Sequence, residues 1–375
     1  MKNRIVLVGY YGYDNLGDDI MLFSFLQEML NDFPKVEISV LSKYSKNLER
    51  MCESFDNVKL KCFKQNSPIF NLILYLKAIF TSKMVIWGGG TCFSEEDGIG
   101  NYKYFTINRF LKKKYAYLAI GLGNLNKKNS LTKTRVLLEN ADFVSFRDKT
   151  SYVFAKSLCA HGNFYLTSDL SYLYEHNLKP KQIDVNCDVD YLLVSLRELS
   201  NFFDKEAIES RYNELTTFLG KIIQKENFKK VVFLPIDSKK DFLANKFVMD
   251  SLLANNQINV MVELLKIEDM FEKIQIILNS RLNITERLHS MVVSEINNKP
   301  CIGISYSPKI DRFYEMDLKR GNYIPNSEKV TKELLWAKYK VVCKYSSFFE
   351  TNNCLKNVFN TAKTNIPILI EHLER

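Results

Sequence analysis

Two kinds of segment alternate along most of this chain. Short unbroken apolar runs are followed by longer runs whose apolar residues recur at helical spacing. The short runs predict strands at residues 4–9 (RIVLVG), 36–41, 58–62, 84–87, 115–121, 143–146 and 164–167. The longer runs predict helices at 20–31, 46–55, 69–81, 102–112, 132–140 and 149–158. Between Leu173 and Val189 the alternation lapses in a polar segment, EHNLKPKQIDVNCDV, which contains a proline and reads as a linker. It then restarts, with strands at 191–196, 231–234, 260–262, 282–284 and 300–305 and helices at 205–226, 239–254, 267–278 and 286–297. A last helical region spans 353–374. Alternation at this spacing implies mostly parallel, doubly wound sheets. The expected fold is therefore α/β, with two Rossmann-like domains facing a cleft. The expected division is an N-terminal domain over 1–178, a linker over 179–189, a second domain over 190–345 and a C-terminal helical segment over 346–375.

Composition narrows the class without changing this picture. The 375 residues are 46% hydrophobic and 25% charged, the balance of a soluble globular protein of two domains. No apolar run reaches the roughly 18 to 20 residues of a membrane span. The N-terminus, MKNRIVLVGYYG, resembles a signal peptide in its charge order, but its apolar run of about six residues is short for one. It reads as the first strand, and the expected location is the cytoplasm. The eight cysteines form no CxxC pair and read as buried reduced thiols, with no metal site expected. The net charge of +9 suits anionic substrates or an anionic lipid surface. No nucleic-acid module occurs, so that partner class is not expected.

Candidate chemistry gathers where strands end, because open α/β sheets bind ligands outside the carboxyl ends of their strands. The stretch RLNITERLHSMVVSEINNKPCIGISYSPKID, residues 281–311, runs strand, helix, strand. Arg287 and His289 sit in its strand-to-helix turn, and Tyr306-Ser-Pro-Lys309 at the exit of its second strand. Both clusters predict an anion site. Lys309 either touches the anion or caps the helix that Pro308 starts. VSLRE places Arg197 at the end of the second domain's first strand, where it binds a carboxylate or phosphate bidentately or forms a salt bridge.

In the first domain, GYYGYDNLGDD is a glycine loop between strand and helix. It reads either as a turn with a helix cap at Asp18 or as a surface for a neutral sugar, with Asn15 or Asp18 as hydrogen-bond partner. The triple glycine Gly88-Gly89-Gly90 ends a predicted strand and leaves room for a substrate against the backbone. Glu95, Glu96 and Asp97 follow and offer a carboxylate for acid or base work, or a solvated turn. SFRDKTS puts Arg147 beside Asp148, and Asp169 lies after the next strand. A structural Arg–Asp pair is the favoured reading of Arg147.

Taken in order, GYYGYDNLGDD, WGGGTCFSEED, IGLGN, SFRDKTS, SDLSYL, VSLRE and ERLHS…PCIGISYSPK resemble the polysaccharide pyruvyl transferase family over roughly residues 4–313. The resemblance implies a fold like that of B-type glycosyltransferases. It also implies transfer of the pyruvyl group of phosphoenolpyruvate to hydroxyls of a sugar in a cell-surface polysaccharide or its precursor, giving a pyruvate ketal. The family's Arg-Leu-His motif matches Arg287, Leu288 and His289, and its second-domain arginine matches Arg197. Its acidic residue after the triple glycine matches Glu95, where members often carry Asp. The first loop's Gly-Asp-Glu is Gly-Asp-Asp here.

On this basis Arg197 and Arg287 are expected to clamp phosphoenolpyruvate, with the Leu288 N–H as a further donor and Lys309 nearby. His289 is expected as the acid, since an unperturbed imidazole titrates at about 6.5. Glu95 is expected as the base. Asn15, Asp18, Gly89 and Gly90 are the expected acceptor-sugar contacts. No cofactor beyond phosphoenolpyruvate as co-substrate is expected. The acceptor is a sugar or a lipid-linked oligosaccharide, the latter implying peripheral contact with the inner face of the plasma membrane. The rival reading is a nucleotide-sugar-dependent glycosyltransferase of the same architecture. Many retaining members carry two glutamates eight apart, whereas eight residues after Glu286 comes Ser294. A non-catalytic carbohydrate-binding protein on the same fold is a third.

Overall fold

Parallel strands covered by helices on both faces are buried on both faces, which is why they read as continuous apolar runs. A computed structural model describes residues 3–96, 98–174, 190–254, 258–308, 310–312, 321–345 and 353–375. Contacts divide the chain into two units. The first comprises Met1–Tyr13, Gly17–Glu175 and Lys356–Arg375; the second comprises Asp14–Leu16 and His176–Leu355.

In the first unit the chain runs β1 (Arg4–Val8), α1 (Leu16–Asp32), β2 (Glu37–Lys43), α2 (Lys46–Glu53), β3 (Val58–Phe63) and α3 (Pro68–Phe80). It continues through β4 (Met84–Ser94), β5 (Gly98–Ile99), α4 (Tyr102–Phe110), β6 (Tyr115–Leu122), α5 (Lys128–Glu139), β7 (Phe143–Phe146), α6 (Lys149–Leu158) and β8 (Phe164–Leu166). The sheet order is β3-β2-β1-β4-β6-β7-β8, all parallel, with β5 antiparallel on β4. β6, between β4 and β7, is buried at every position. Winding reverses between β1 and β4, the switch point at which such a sheet takes a ligand.

The second unit repeats the scheme. It contains β9 (Tyr191–Ser195), α7 (Lys205–Glu226), β10 (Lys230–Phe233), α8 (Phe242–Ala254), β11 (Met261–Leu264), α9 (Met270–Asn279), β12 (Leu282–Thr285), α10 (Leu288–Ile296), β13 (Cys301–Ile304) and β14 (Tyr323–Ile324). The order is β11-β10-β9-β12-β13-β14, all parallel, so winding reverses between β9 and β12. α11 (Lys332–Tyr345) then packs on α7, and α12 (Asn353–Lys363) and α13 (Asn365–Glu374) complete the chain.

The mixed α/β class with parallel sheets is as expected. Three local differences have physical causes. β4 does not stop at Trp87 but continues through the three glycines to Ser94, pairing with β6. α1 starts at Leu16, so Asp18 and Asp19 lie in its first turn, where carboxylates favour the helix dipole. α11 is absent from the sequence reading; its start is capped by Thr331 Oγ1, which accepts the Leu334 N–H at 3.2 Å, and by Glu214, which accepts the Lys332 N–H at 2.8 Å from 118 residues away. The expected linker, 179–189, lies outside the described residues. The expected C-terminal segment of 346–375 is not a body of its own over its described helical part, since Lys356–Arg375 belongs to the first unit.

What holds that last segment is a buried polar chain. Ser145 Oγ on β7 accepts the Ala119 N–H at 2.7 Å and donates to Asn365 Oδ1 at 2.6 Å. Asn365 Nδ2 donates to the Ala362 carbonyl at 2.8 Å. All three residues at its centre, Ala119, Ser145 and Asn365, are buried. Removing one partner of such a chain strands the others away from water. Asn365→Leu is therefore expected to lower the unfolding free energy by about 1–3 kcal/mol, read by urea denaturation.

Candidate active site

The second unit's switch point is built around the chain just past β9. Asn245, on α8, accepts the Leu196 N–H at 3.0 Å and donates to the Leu196 carbonyl at 2.9 Å. Glu286, the first residue after β12, accepts the Arg197 N–H at 3.0 Å, and the Tyr212 hydroxyl donates to the Arg197 carbonyl at 2.9 Å. The other Glu286 oxygen accepts from Arg211 Nε at 2.7 Å, and Arg211 Nη2 donates to the Ser305 carbonyl at 3.0 Å. Three side chains from two helices and a strand end thus fix the backbone that carries Arg197.

The Arg197 guanidinium lies 4.4 Å from the ring centre of Tyr306 and 5.0 Å from that of Phe202, and donates to the Tyr306 hydroxyl. Those rings orient it by cation–π attraction. Among the described residues no carboxylate is in salt-bridge reach of Arg197. Arg287 is different. Its Nε and Nη2 donate to the two oxygens of Asp241 at 2.7 and 2.5 Å, and Asp241 is fully buried. Burial opposes the Arg287 charge, but Asp241 outweighs it and holds the guanidinium more firmly protonated than usual. Nη1 is the part of the fork that Asp241 leaves available. Burial pushes the Tyr306 hydroxyl up against the opposing pull of Arg197 and Arg287.

Arg287 is also the residue that precedes α10. Its N–H donates to Thr285 Oγ1 at 2.9 Å, which sets the turn. Leu288 and His289 are the first two residues of the helix, Leu288 buried and His289 half-buried. Amides in a first helical turn have no partner within the helix and favour an anion. The structure thus brings Arg197, Arg287, Leu288 and His289 to neighbouring strand ends of one sheet. Lys309 lies outside the described residues.

The first unit treats its candidates otherwise. A Cβ on Gly88 would sit 2.4 Å from the Tyr11 hydroxyl, which donates to the Gly88 carbonyl at 2.7 Å. A Cβ on Gly89, where φ is +77°, would sit 2.7 Å from Met21 Sδ. The glycines admit the chain's own side chains, which corrects the reading that they clear room for a substrate. Asp18 Oδ1 is the polar atom nearest the Gly90 position, at 3.3 Å from a Cβ placed there. Asp19 accepts the Gly12 N–H at 2.9 Å. Asn15 packs with the second unit, bridged to Asp237. Arg147 pairs with Asp169 at 2.6 Å and donates to Thr91 Oγ1 at 3.0 Å, all but fully buried. Its partner is not Asp148, which instead caps α6 through Ser151.

Glu95 has an occupation of its own. Its carboxylate accepts the Asn126 and Lys127 N–H groups at 3.3 and 3.0 Å and the Ser130 hydroxyl at 3.1 Å, at the start of α5. The Lys127 amide leads in holding its pKa below the ordinary glutamate value. A carboxylate stabilised in its charged form is a weak base, so Glu95 is reassigned from base to helix cap. Asp241, Glu286 and Arg211 were missed as site residues, while Tyr306 stood in the expected cluster without a role. Glu286 stood in the motif itself, while Asp241 and Arg211 carry no local signal. Among the described residues, no three His, Cys, Asp or Glu side chains are grouped to hold a metal ion.

With this geometry in place, comparison with known proteins decides the family. The profile of polysaccharide pyruvyl transferases matches residues 15–308. The chain belongs to that family. No curated protein matches the sequence. Solved structures similar to this pyruvyl transferase include UDP-GlcNAc 2-epimerase of Methanocaldococcus jannaschii, at 13% identity and TM-score 0.65, covering 98% of this chain and 99% of that one. The Neisseria meningitidis epimerase bound to UDP-GlcNAc is similar at 11% identity and TM-score 0.64, over 98% and 100%. A UDP-glucose:anthocyanidin 3-O-glucosyltransferase in complex with UDP matches at 11% and 0.53, over 100% and 99%. At such identities the likeness is one of fold, that of B-type nucleotide-sugar enzymes.

Two outcomes follow for this pyruvyl transferase. Asp241→Ala leaves a buried guanidinium unmatched and is expected to cost about 3–5 kcal/mol of unfolding free energy. Glu95→Gln is expected to lower the unfolding temperature. The Glu95 pKa is depressed on folding, so its contribution is present above the ordinary glutamate pKa and is lost as pH falls through the folded value. The gap between the two proteins' unfolding temperatures should therefore narrow in acid.

Proposed function

We propose that this protein moves the pyruvyl group of phosphoenolpyruvate onto two hydroxyls of a sugar in a cell-surface polysaccharide or its precursor, closing a cyclic ketal. The observation that carries the reading is Arg197, a buttressed guanidinium with no carboxylate in salt-bridge reach among the described residues, in a chain of this family. It stands at the switch point where a doubly wound sheet takes its ligand.

Phosphoenolpyruvate is anionic at both ends. Arg197 takes one end through charge-assisted bonds, and Arg287 Nη1 with the first amides of α10 takes the other. His289 gives a proton to the methylene carbon as the double bond's electrons move to it, leaving C2 cationic. A sugar hydroxyl adds to C2 and loses its proton. The C2–O bond to phosphate then breaks, phosphate leaving with the electron pair, and the second hydroxyl bonds to C2 and gives its proton to solvent, closing the ketal. Asp18 is the candidate to hydrogen-bond the acceptor.

The test is incubation with phosphoenolpyruvate and a panel of sugars, following phosphate release and product mass. His289→Ala should retain donor binding and lose turnover by about 10²- to 10⁴-fold, the usual share of an acid–base group. Arg197→Ala should raise the KM for phosphoenolpyruvate. Undiminished turnover in His289→Ala sinks the acid assignment. Nucleotide release from a UDP-sugar, with no phosphate release from phosphoenolpyruvate, would replace the whole reading by sugar-nucleotide chemistry of the kind the structural neighbours' names describe.

A further inference from the structure

α3 is apolar on two sides. Its inner side buries Tyr75, Ala78 and Ile79 in the core of the first unit. Its outer side carries Ile69, Ile73 and Phe80 at 74%, 59% and 59% exposure, with Phe70 and Lys77 beside them. At 3.6 residues per turn these five positions share one arc of about 100°. A helix facing water on that side would carry polar residues there.

The apolar face does not end with α3. The Tyr75 hydroxyl donates to Asn108 Oδ1 at 2.5 Å, which ties α3 to α4. α4 ends in Phe110, 84% exposed. Lys113, just beyond, lays its ammonium 4.7 Å from the ring centre of Phe80, and Lys64 lies 4.5 Å from that of Phe70. Lysines are the charge that surrounds this face: no acidic residue occurs from Asn57 to Ser94, nor from Gly98 to Leu138.

We propose that the outer face of α3, with the end of α4, docks on an anionic lipid bilayer. The chemistry is that of an interfacial helix: large apolar side chains enter the acyl boundary while lysines meet the headgroup phosphates. Lys113 and Lys64 hold their ammonium groups over the rings of Phe80 and Phe70, which keeps a cation beside each apolar ring of this face. Charge complementarity selects the bilayer. Apolar residues set in stretches that carry lysines and arginines but no acid favour an anionic surface over a second copy of the same face, and a neutral membrane offers the lysines nothing. The proposal does not rest on the donor chemistry above.

The test is co-sedimentation of the full chain with vesicles of phosphatidylcholine, with and without phosphatidylglycerol. Binding is expected only with phosphatidylglycerol and should weaken as salt rises. Ile73→Glu with Phe80→Glu should reduce it at least tenfold, and Lys112→Glu with Lys113→Glu should also reduce it. Both pairs lie on the surface, so unfolding temperatures should match the parent's. The second pair keeps the test open if the first fails to fold. Equal binding to neutral vesicles, no binding to either, or full binding by both variants overturns the proposal. So does concentration-dependent self-association without vesicle binding, which would make the face an interface between copies.

Discussion

The second unit's candidate site depends on one buried carboxylate. Asp241 accepts four donors: both nitrogens of the Arg287 fork, the Asp237 N–H at 2.9 Å and the Glu198 N–H at 3.3 Å. Those donors come from the exit of β12, the turn before α8 and the exit of β9. Taking this charge out of water is costly, and a hydrophobic pair of similar volume often stabilises a fold as well. What a hydrophobic pair does not supply is direction. The bidentate contact fixes the plane of the Arg287 guanidinium and points Nη1 away from Asp241, and the two amides tie the exit of β9 and the turn before α8 to the two oxygens of the same carboxylate.

Around this anchor, charge is divided unevenly. Arg211 is matched by Glu286 and Arg287 by Asp241, each carboxylate fully buried. Arg197 is held instead by aromatic faces and a phenol, which orient a cation without neutralising it. Glu286 supports this indirectly: one oxygen pairs with Arg211, while the other takes the backbone N–H of Arg197 rather than its side chain. Paired arginines thus surround Arg197, which among the described residues has no carboxylate in salt-bridge reach. The first unit shows the contrast. Arg147 also follows a strand of a parallel sheet, yet buried Asp169 pairs with it and Thr91 accepts from it. A strand-end arginine is a ligand candidate only when its own fold does not spend its charge.

This division explains what could be read from the sequence. Parallel strands and their helices are written as local apolar period, so their order and type were legible; α6 and α7 coincide with their predicted spans, while β4 runs on to Ser94 and α1 and α5 start four residues early. Arg197, Arg287 and His289 were legible as site candidates because each stands at a strand exit. Their partners were not. Arg287 and Asp241 are 46 residues apart, and Glu286 and Arg211 are 75 apart, so no local pattern joins them. The glycines misled for a related reason. A glycine marks a close approach but does not name what approaches, and at Gly88 and Gly89 it is Tyr11 and Met21 of the same chain.

Glu95 carries the same lesson into chemistry. A carboxylate near a strand end in a ligand-binding fold reads equally well as a base or as a cap, since both need an exposed acid beside a turn. Its donors separate the two. Two amides and a hydroxyl stabilise the charged form, and each such bond removes some of the affinity for a proton that a base requires. His289 is nominated by its position: it is the second residue of α10, half-buried, two residues beyond the guanidinium that Asp241 orients. For this fold, then, the residue type nominates a catalytic group, and the partners supplied from distant segments decide whether it has been used already.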